Sequence, residues 1–162
     1  MNRNAVLALL KSRGIPFELA EHRAVYNMAD LAEIALPHPE ADAKNLFVRD
    51  DKRRNYYLIT VRGEKRVDLK AFRHAHGTRP LSFASDDELA AFLALFPGSV
   101  TPLGLLNDET RRVTLFIDEA LLEGDGLIAV HPNDNAATVW LKTADLIALL
   151  REQGHSVETT RL

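Results

Sequence analysis

The run Asp42-Ala43-Lys44-Asn45-Leu46-Phe47-Val48-Arg49 is followed, after a charged stretch over 50–55, by Tyr56-Tyr57-Leu58-Ile59-Thr60-Val61. Two apolar segments of strand length around a short polar, charged break read as a β-hairpin over 44–49 and 56–61. Side chains alternate along a strand, so Lys44 shares a face with Leu46 and Val48. An ammonium at the rim of an apolar face either reaches out to water or holds a partner, because desolvating it alone is costly. Spacing leaves both readings of Lys44 open.

Outward from the hairpin, helices and strands interleave. Residues 4–11 place Val6, Leu7, Leu9 and Leu10 on one helical face, and Gly14 ends that helix. Residues 15–19 read as a short strand, and 28–35 as a helix stopped before Pro37. A short helix is expected over 68–76, ending at Gly77. Ser85-Asp86-Asp87-Glu88 has capping-box spacing and opens a helix with Leu89, Phe92, Leu93 and Phe96 inward. Residues 113–117, 127–130 and 136–141 are strand-like, and Thr143 is expected to cap a last helix over 145–153, ended by Gly154. The expected class is mixed α/β: one domain over 1–162, with a central, mostly antiparallel or mixed sheet and surrounding helices.

The chain has 162 residues, 46% apolar and 27% charged, within the range of ordinary globular proteins. No apolar run reaches the ~18–20 residues of a membrane span, and the N-terminus lacks a signal-peptide pattern, so the expected address is cytoplasmic with no membrane partner. The absence of cysteine excludes disulfides, thiolate nucleophiles and cysteine-bound zinc. Net charge is −3, but half of the 20 Lys and Arg residues fall between Arg49 and Arg79. That segment, which includes Arg53 and Arg54, reads either as a solvated hairpin or as a phosphate-contacting patch.

Two further stretches have the composition of a site. Pro97-Gly98-Ser99-Val100-Thr101-Pro102-Leu103-Gly104 combines fixed path with close backbone approach. It can expose N–H donors for an oxyanion, or simply connect a helix to a strand. Val130-His131-Pro132-Asn133-Asp134-Asn135 puts a histidine at a strand end, followed by a polar turn able to satisfy its own backbone. His74 and His76 lie two apart on a helix and so point to different faces. No metal-ligand spacing, phosphate loop or dinucleotide fingerprint occurs. Without a Gly-x-Ser-x-Gly elbow or an assigned acid, Ser99 and His131 make a weak case for a serine hydrolase.

Taken together, Lys44-Asn45-Leu46-Phe47, Tyr56-Tyr57-Leu58, Val67-Asp68-Leu69-Lys70, Leu81-Ser82-Phe83-Ala84, the 97–108 stretch, His131-Pro132-Asn133 and Thr138-Val139 resemble the YbaK/ProX family of aminoacyl-tRNA editing domains. The resemblance is strongest to its stand-alone branch, related to the insertion domain of prolyl-tRNA synthetase and including alanyl-tRNA(Pro) deacylases. It implies hydrolysis, without a cofactor or metal, of the ester joining a wrong amino acid to the tRNA 3′ end. Ala-tRNA(Pro) is the implied substrate, with Cys-tRNA(Pro) or a non-catalytic tRNA-end or synthetase-associated module as alternatives. Prolyl-tRNA synthetase and an elongation factor are implied as transient partners. The implied catalytic set is Lys44, Gly98, Ser99, Gly104 and His131. The implied substrate contacts are Asn45, Met28, Leu31, Thr101, Pro102, Asn133, Arg53 and Arg54. A hydrolase for a small ester or amide outside tRNA is a third reading, and it has no use for the basic segment.

Overall fold

The computed structural model describes residues 1–27, 29–30, 33–63 and 65–162. Helix α1 (Arg3–Ser12) starts where the Asn2 side chain accepts from the Ala5 N–H. The chain continues through β1 (Phe17–Glu21), a 3-10 turn (Pro39–Ala41), β2 (Ala43–Asp50) and β3 (Tyr56–Arg62). Next come α2 (Leu69–His76), β4 (Leu81–Phe83), α3 (Asp86–Leu93) and a 3-10 segment (Pro102–Asn107). Strand β5 (Val113–Asp118), a 3-10 turn (Glu119–Leu122), β6 (Leu127–Val130), β7 (Ala137–Lys142), α4 (Thr143–Glu152) and β8 (Ser156–Thr160) complete it.

The strands form two sheets, a five-stranded one in the order β4-β2-β3-β5-β8 and a three-stranded one in the order β1-β7-β6. The hairpin pairs Lys44 with Val61 and Phe47 with Leu58. Strand β5 then runs parallel between β3 and β8, which makes the large sheet mixed. Its Val-Thr-Leu-Phe-Ile run is buried on both faces, as a central parallel strand requires. One face of this sheet, through Phe47, Leu58, Leu115 and Ile117, joins α1, α3, α4 and the small sheet in the main core. The other face, through Val48, Ile59, Val61 and Phe116, packs against Phe72 of α2.

Local signals placed most helix ends. Asp68 accepts from the N–H groups of Lys70 and Ala71, Gly77 closes α2 in the left-handed region, and Ser85 and Glu88 complete both halves of the capping box. His76 packs on Phe72 and Phe116, whereas His74 is exposed. Three expectations need correction. Helix α3 stops at Leu93 with Ala94 left-handed, so Phe96 is exposed. The Thr143 hydroxyl donates to the Leu121 carbonyl and caps nothing; α4 simply begins after Lys142. Strand β8, beyond the expected last helix, has only Val157 buried, too little alternation to announce itself. Of the helix expected over 28–35, Ala29 and Asp30 are helical while Glu33 and Ile34 are not; Met28, Leu31 and Ala32 lie outside the described residues.

Candidate active site

A cavity of about 440 Å³ opens where the start of β2 meets the small sheet. Its wall is formed by residues 25–27, residues 42–46, Gly98 and Val100, and its sheet side by Ala129, His131 and Thr138. This size lies within the ~300–1,000 Å³ of small-molecule sites.

The hairpin brings Lys44 to the cavity because it stands at the first turn of the β2 ladder, beyond the apolar Leu46, Ile59 and Val61 that α2 covers. Asn45 points to the opposite face. Its Oδ1 accepts from the Thr60 hydroxyl at 2.7 Å and its Nδ2 donates to the Val100 carbonyl at 3.2 Å. Asn45 therefore fastens the 97–101 loop to β2. Asp42, also in the wall, has its carboxyl raised above the ordinary range by burial and then by the charge of Glu40.

The loop itself is held from inside. The buried Ser99 hydroxyl donates to the Phe96 carbonyl at 2.9 Å and accepts from the Phe96 N–H at 3.0 Å, and the Ser99 N–H donates to the same carbonyl. Thr101 accepts from the Leu103 N–H and starts the 3-10 segment with Pro102. Gly104 is buried and does not line the cavity; its N–H donates to the Thr101 carbonyl, and an added Cβ would meet Leu95 Cδ1 at 2.5 Å. Ser99, Thr101, Pro102 and Gly104 thus build the loop and do not line the cavity. Gly98 does line it, at φ +91°, with the Tyr26 backbone 2.9 Å from where its Cβ would be. Among the described residues the N–H groups of Gly98 and Val100 have no hydrogen-bond acceptor, and both residues line the cavity.

Replacement of Ser99 by alanine removes both bonds to Phe96. A cost of about 1–3 kcal/mol in stability is expected from the unsatisfied backbone groups, with single-turnover hydrolysis within a few-fold of the parent. A thermal melt and a rate on the same preparation check this.

His131 donates through Nδ1 to the Ala137 carbonyl at 2.8 Å. Burial pushes its imidazole below the usual histidine value, only partly offset by the hydrogen bond to Ala137, and with the Nδ1 proton held by that carbonyl the favoured tautomer leaves Nε2 as an acceptor. Asn133 belongs elsewhere, beside a separate cavity with Asn2, Arg3 and Phe96, its amide donating to the Met1 carbonyl. Arg53 and Arg54 occupy the hairpin turn, at the opposite end of β2 from Lys44; six strand residues put them roughly 20 Å away. Three of the ten basic residues of the 49–79 segment form ion pairs among the described residues: Arg79 with Asp51, Arg49 with Glu88 and Lys65 with Asp118. Met28 and Leu31 lie outside the described residues. Sequence spacing alone did not single out Val25, Tyr26, Asp42, Val100 or Ala129, nor the role of Thr138, since these meet only through sheet-to-sheet packing.

Among the described residues no group of three or more His, Asp or Glu side chains could hold a metal ion, and no helix is long and apolar enough to cross a membrane.

Residues 22–149 match the aminoacyl-tRNA editing domain family. The chain is 39% identical over 160 residues to the prolyl-tRNA editing protein ProX of Acetoanaerobium sticklandii, covering 99% of this chain and 97% of that one. It is 31% identical to the prolyl-tRNA synthetase associated domain-containing protein 1 of Bos taurus, covering 94% and 91%. A crystal structure described as "a putative trans-editing enzyme for prolyl tRNA synthetase" shares the fold, with TM-score 0.73 at 22% identity over 99% of this chain and 96% of that one. With the family matched across the hairpin, the 97–101 loop and the His131 strand, the chain belongs to the aminoacyl-tRNA editing family and is a deacylase of mischarged tRNA.

Proposed function

We propose that the substrate is Ala-tRNA(Pro), attacked in trans in the cavity at the start of β2. The observation that carries this reading is the convergence there of one lysine, two backbone donors with no acceptor among the described residues and one imidazole beside an apolar wall. Lys44 supplies the cation, Gly98 and Val100 the donors, His131 the imidazole, and Val25, Val100 and Ala129 the wall. The names of the similar proteins from Acetoanaerobium sticklandii and Bos taurus support prolyl-tRNA as the tRNA and the prolyl-tRNA synthetase system as the setting.

In this reading Lys44 holds the terminal phosphate or ribose and orients the ester. Water adds to the ester carbonyl, and the Gly98 and Val100 N–H groups stabilise the oxygen as its charge develops. The carbon–oxygen bond to the ribose then breaks. The water's proton ends on the ribose oxygen, releasing alanine and tRNA. An activated ester needs no covalent intermediate, which suits a site whose Ser99 hydroxyl is consumed by Phe96. Met28 and Leu31 remain candidates for the pocket wall.

The test is single-turnover deacylation of Ala-, Cys- and Pro-tRNA(Pro), with Ala-tRNA(Ala) alongside. Ala-tRNA(Pro) should be hydrolysed fastest and Pro-tRNA(Pro) spared. A preference for the cysteinyl ester reassigns the amino acid, and equal rates on both tRNAs remove tRNA(Pro) as the specific partner.

Arg53 and Arg54 fit a role remote from chemistry, against tRNA phosphates. Changing both to Glu should raise KM for tRNA several-fold, reduce its salt dependence and leave a short aminoacyl-adenosine unaffected. Equal losses on both substrates would mean that the hairpin turn shapes the cavity instead.

A further inference from the structure

We propose that Thr138 binds the substrate's α-amino group and that His22 is the positioning residue that sets its hydroxyl for that task. The inference rests on the cavity being the aminoacyl site and adds the part of the amino acid that its polar groups recognise.

Strand register puts the pieces on one face. Thr138 pairs with Ala20 across β1–β7, and Val139 with Val130 across β6–β7. Alternation then sets Thr138, His131 and Ala129 on the side of the small sheet opposite Val130, Val139 and Leu141, which enter the main core. All three line the cavity. His22 continues β1, its N–H donating to the Ala136 carbonyl, and its ring lies 6.4 Å from that of His131.

Proton positions follow from the partners. His22 Nδ1 is 2.7 Å from the Arg23 carbonyl, and a carbonyl only accepts, so Nδ1 carries a proton. His22 Nε2 is 2.8 Å from Thr138 Oγ1. In the tautomer that this carbonyl selects, Nε2 is the acceptor and the Thr138 hydroxyl donates to it. The remaining lone-pair capacity of Oγ1 is then available to a ligand. His131 is arranged in the same way, with its proton spent on Ala137 and its Nε2 bare.

The sheet side of the cavity therefore offers two acceptors whose hydrogens are turned away, beside apolar Ala129. An α-amino group, neutral or protonated, brings at least two N–H donors and matches this pair. An acyl group without the amine leaves both acceptors unpaired, and a site built to hydrogen-bond a polar group rejects the analogue lacking it.

The experiment compares alanyl-tRNA(Pro) with its deamino analogue, propionyl-tRNA(Pro), under single-turnover conditions. The parent protein should hydrolyse the alanyl ester at least about tenfold faster than the propionyl ester. Thr138→Val should lose about tenfold or more on the alanyl ester and stay within about twofold on the propionyl ester. Thr138→Ser, which keeps the hydroxyl, should retain the preference and guards against misfolding of the valine variant. His22→Ala should lose part of the preference, and His22→Gln, whose side-chain oxygen can accept from Thr138, should recover it. Equal losses on both esters, or none, with Thr138→Val would overturn the proposal, as would a parent protein that treats the two esters alike. A parent protein that hydrolyses neither ester would instead sink the reading of the cavity as the aminoacyl site, and this inference with it.

Discussion

Replacing Lys44 by alanine is expected to lower single-turnover hydrolysis of the mischarged tRNA by at least about a hundredfold, with the melting temperature nearly unchanged. The small effect on stability follows from its position. Lys44 is half-buried at the first turn of β2, and among the described residues its ammonium has neither an ion pair nor a hydrogen bond to lose. Nothing in the fold calls for a charge there. The large effect on rate follows from what surrounds it: the loop carrying the Gly98 and Val100 donors is tied to the next residue, Asn45, through the Val100 carbonyl. In the proposed mechanism a cation lining the same cavity as those donors orients the ester so that the developing oxyanion meets them, and a preorganised donor is worth about 2.7–4 kcal/mol in the barrier. Lys44→Arg should recover only part of the loss, since a planar guanidinium does not occupy the place of a compact ammonium. Rates within a few-fold of the parent for Lys44→Ala would remove Lys44 from the mechanism.

Gly98→Val is expected to lose on the order of a hundredfold or more in kcat, while Gly104→Val loses stability first. At Gly98 two constraints coincide. Its φ of +91° lies where a β-branched residue is strained by about 1–3 kcal/mol, and a Cβ would come within 2.9 Å of the Tyr26 Cα, an atom of the main chain. Either the loop or the 25–27 segment must move. Both line the cavity, so the donor geometry is spoiled whichever yields. At Gly104 the obstacle is Leu95 Cδ1 in the core, away from the cavity, and overpacking there typically costs about 1–3 kcal/mol. Melting curves alongside kcat on one mischarged tRNA separate the two. A Gly98→Val variant with parental kcat would refute the loop's donor role, and an acyl group trapped on Ser99 would replace water attack with a covalent route.

These two glycines show how far composition alone can go. Pro97 to Gly104 has the makeup of a loop that approaches a ligand closely, and the structure sets it against the cavity. Composition could not rank its members. Gly98 and Ser99 are adjacent, yet one lines the cavity and the other is spent holding Phe96, because the turn directs successive residues to opposite sides. Arg53 and Arg54 are a similar case. They sit within ten residues of Lys44, but a strand converts sequence separation into distance, and the hairpin places them at its far end.

What the sequence by itself determined was everything governed by near neighbours in the chain. The Ser85–Glu88 box and the Gly77 stop are satisfied by residues within a few positions, so their chemistry can be read locally. The hairpin was equally clear, because two apolar runs around a charged turn have few other ways to bury themselves, and the order of its motifs carried the family. Tertiary structure decided the rest. The parallel insertion of β5 between β3 and β8, the use of Asn45 as a tether to Val100, and the meeting of His22, Thr138 and His131 join residues far apart in sequence. Their partners are selected by sheet register and by packing of one sheet against the other, and no local propensity encodes that choice.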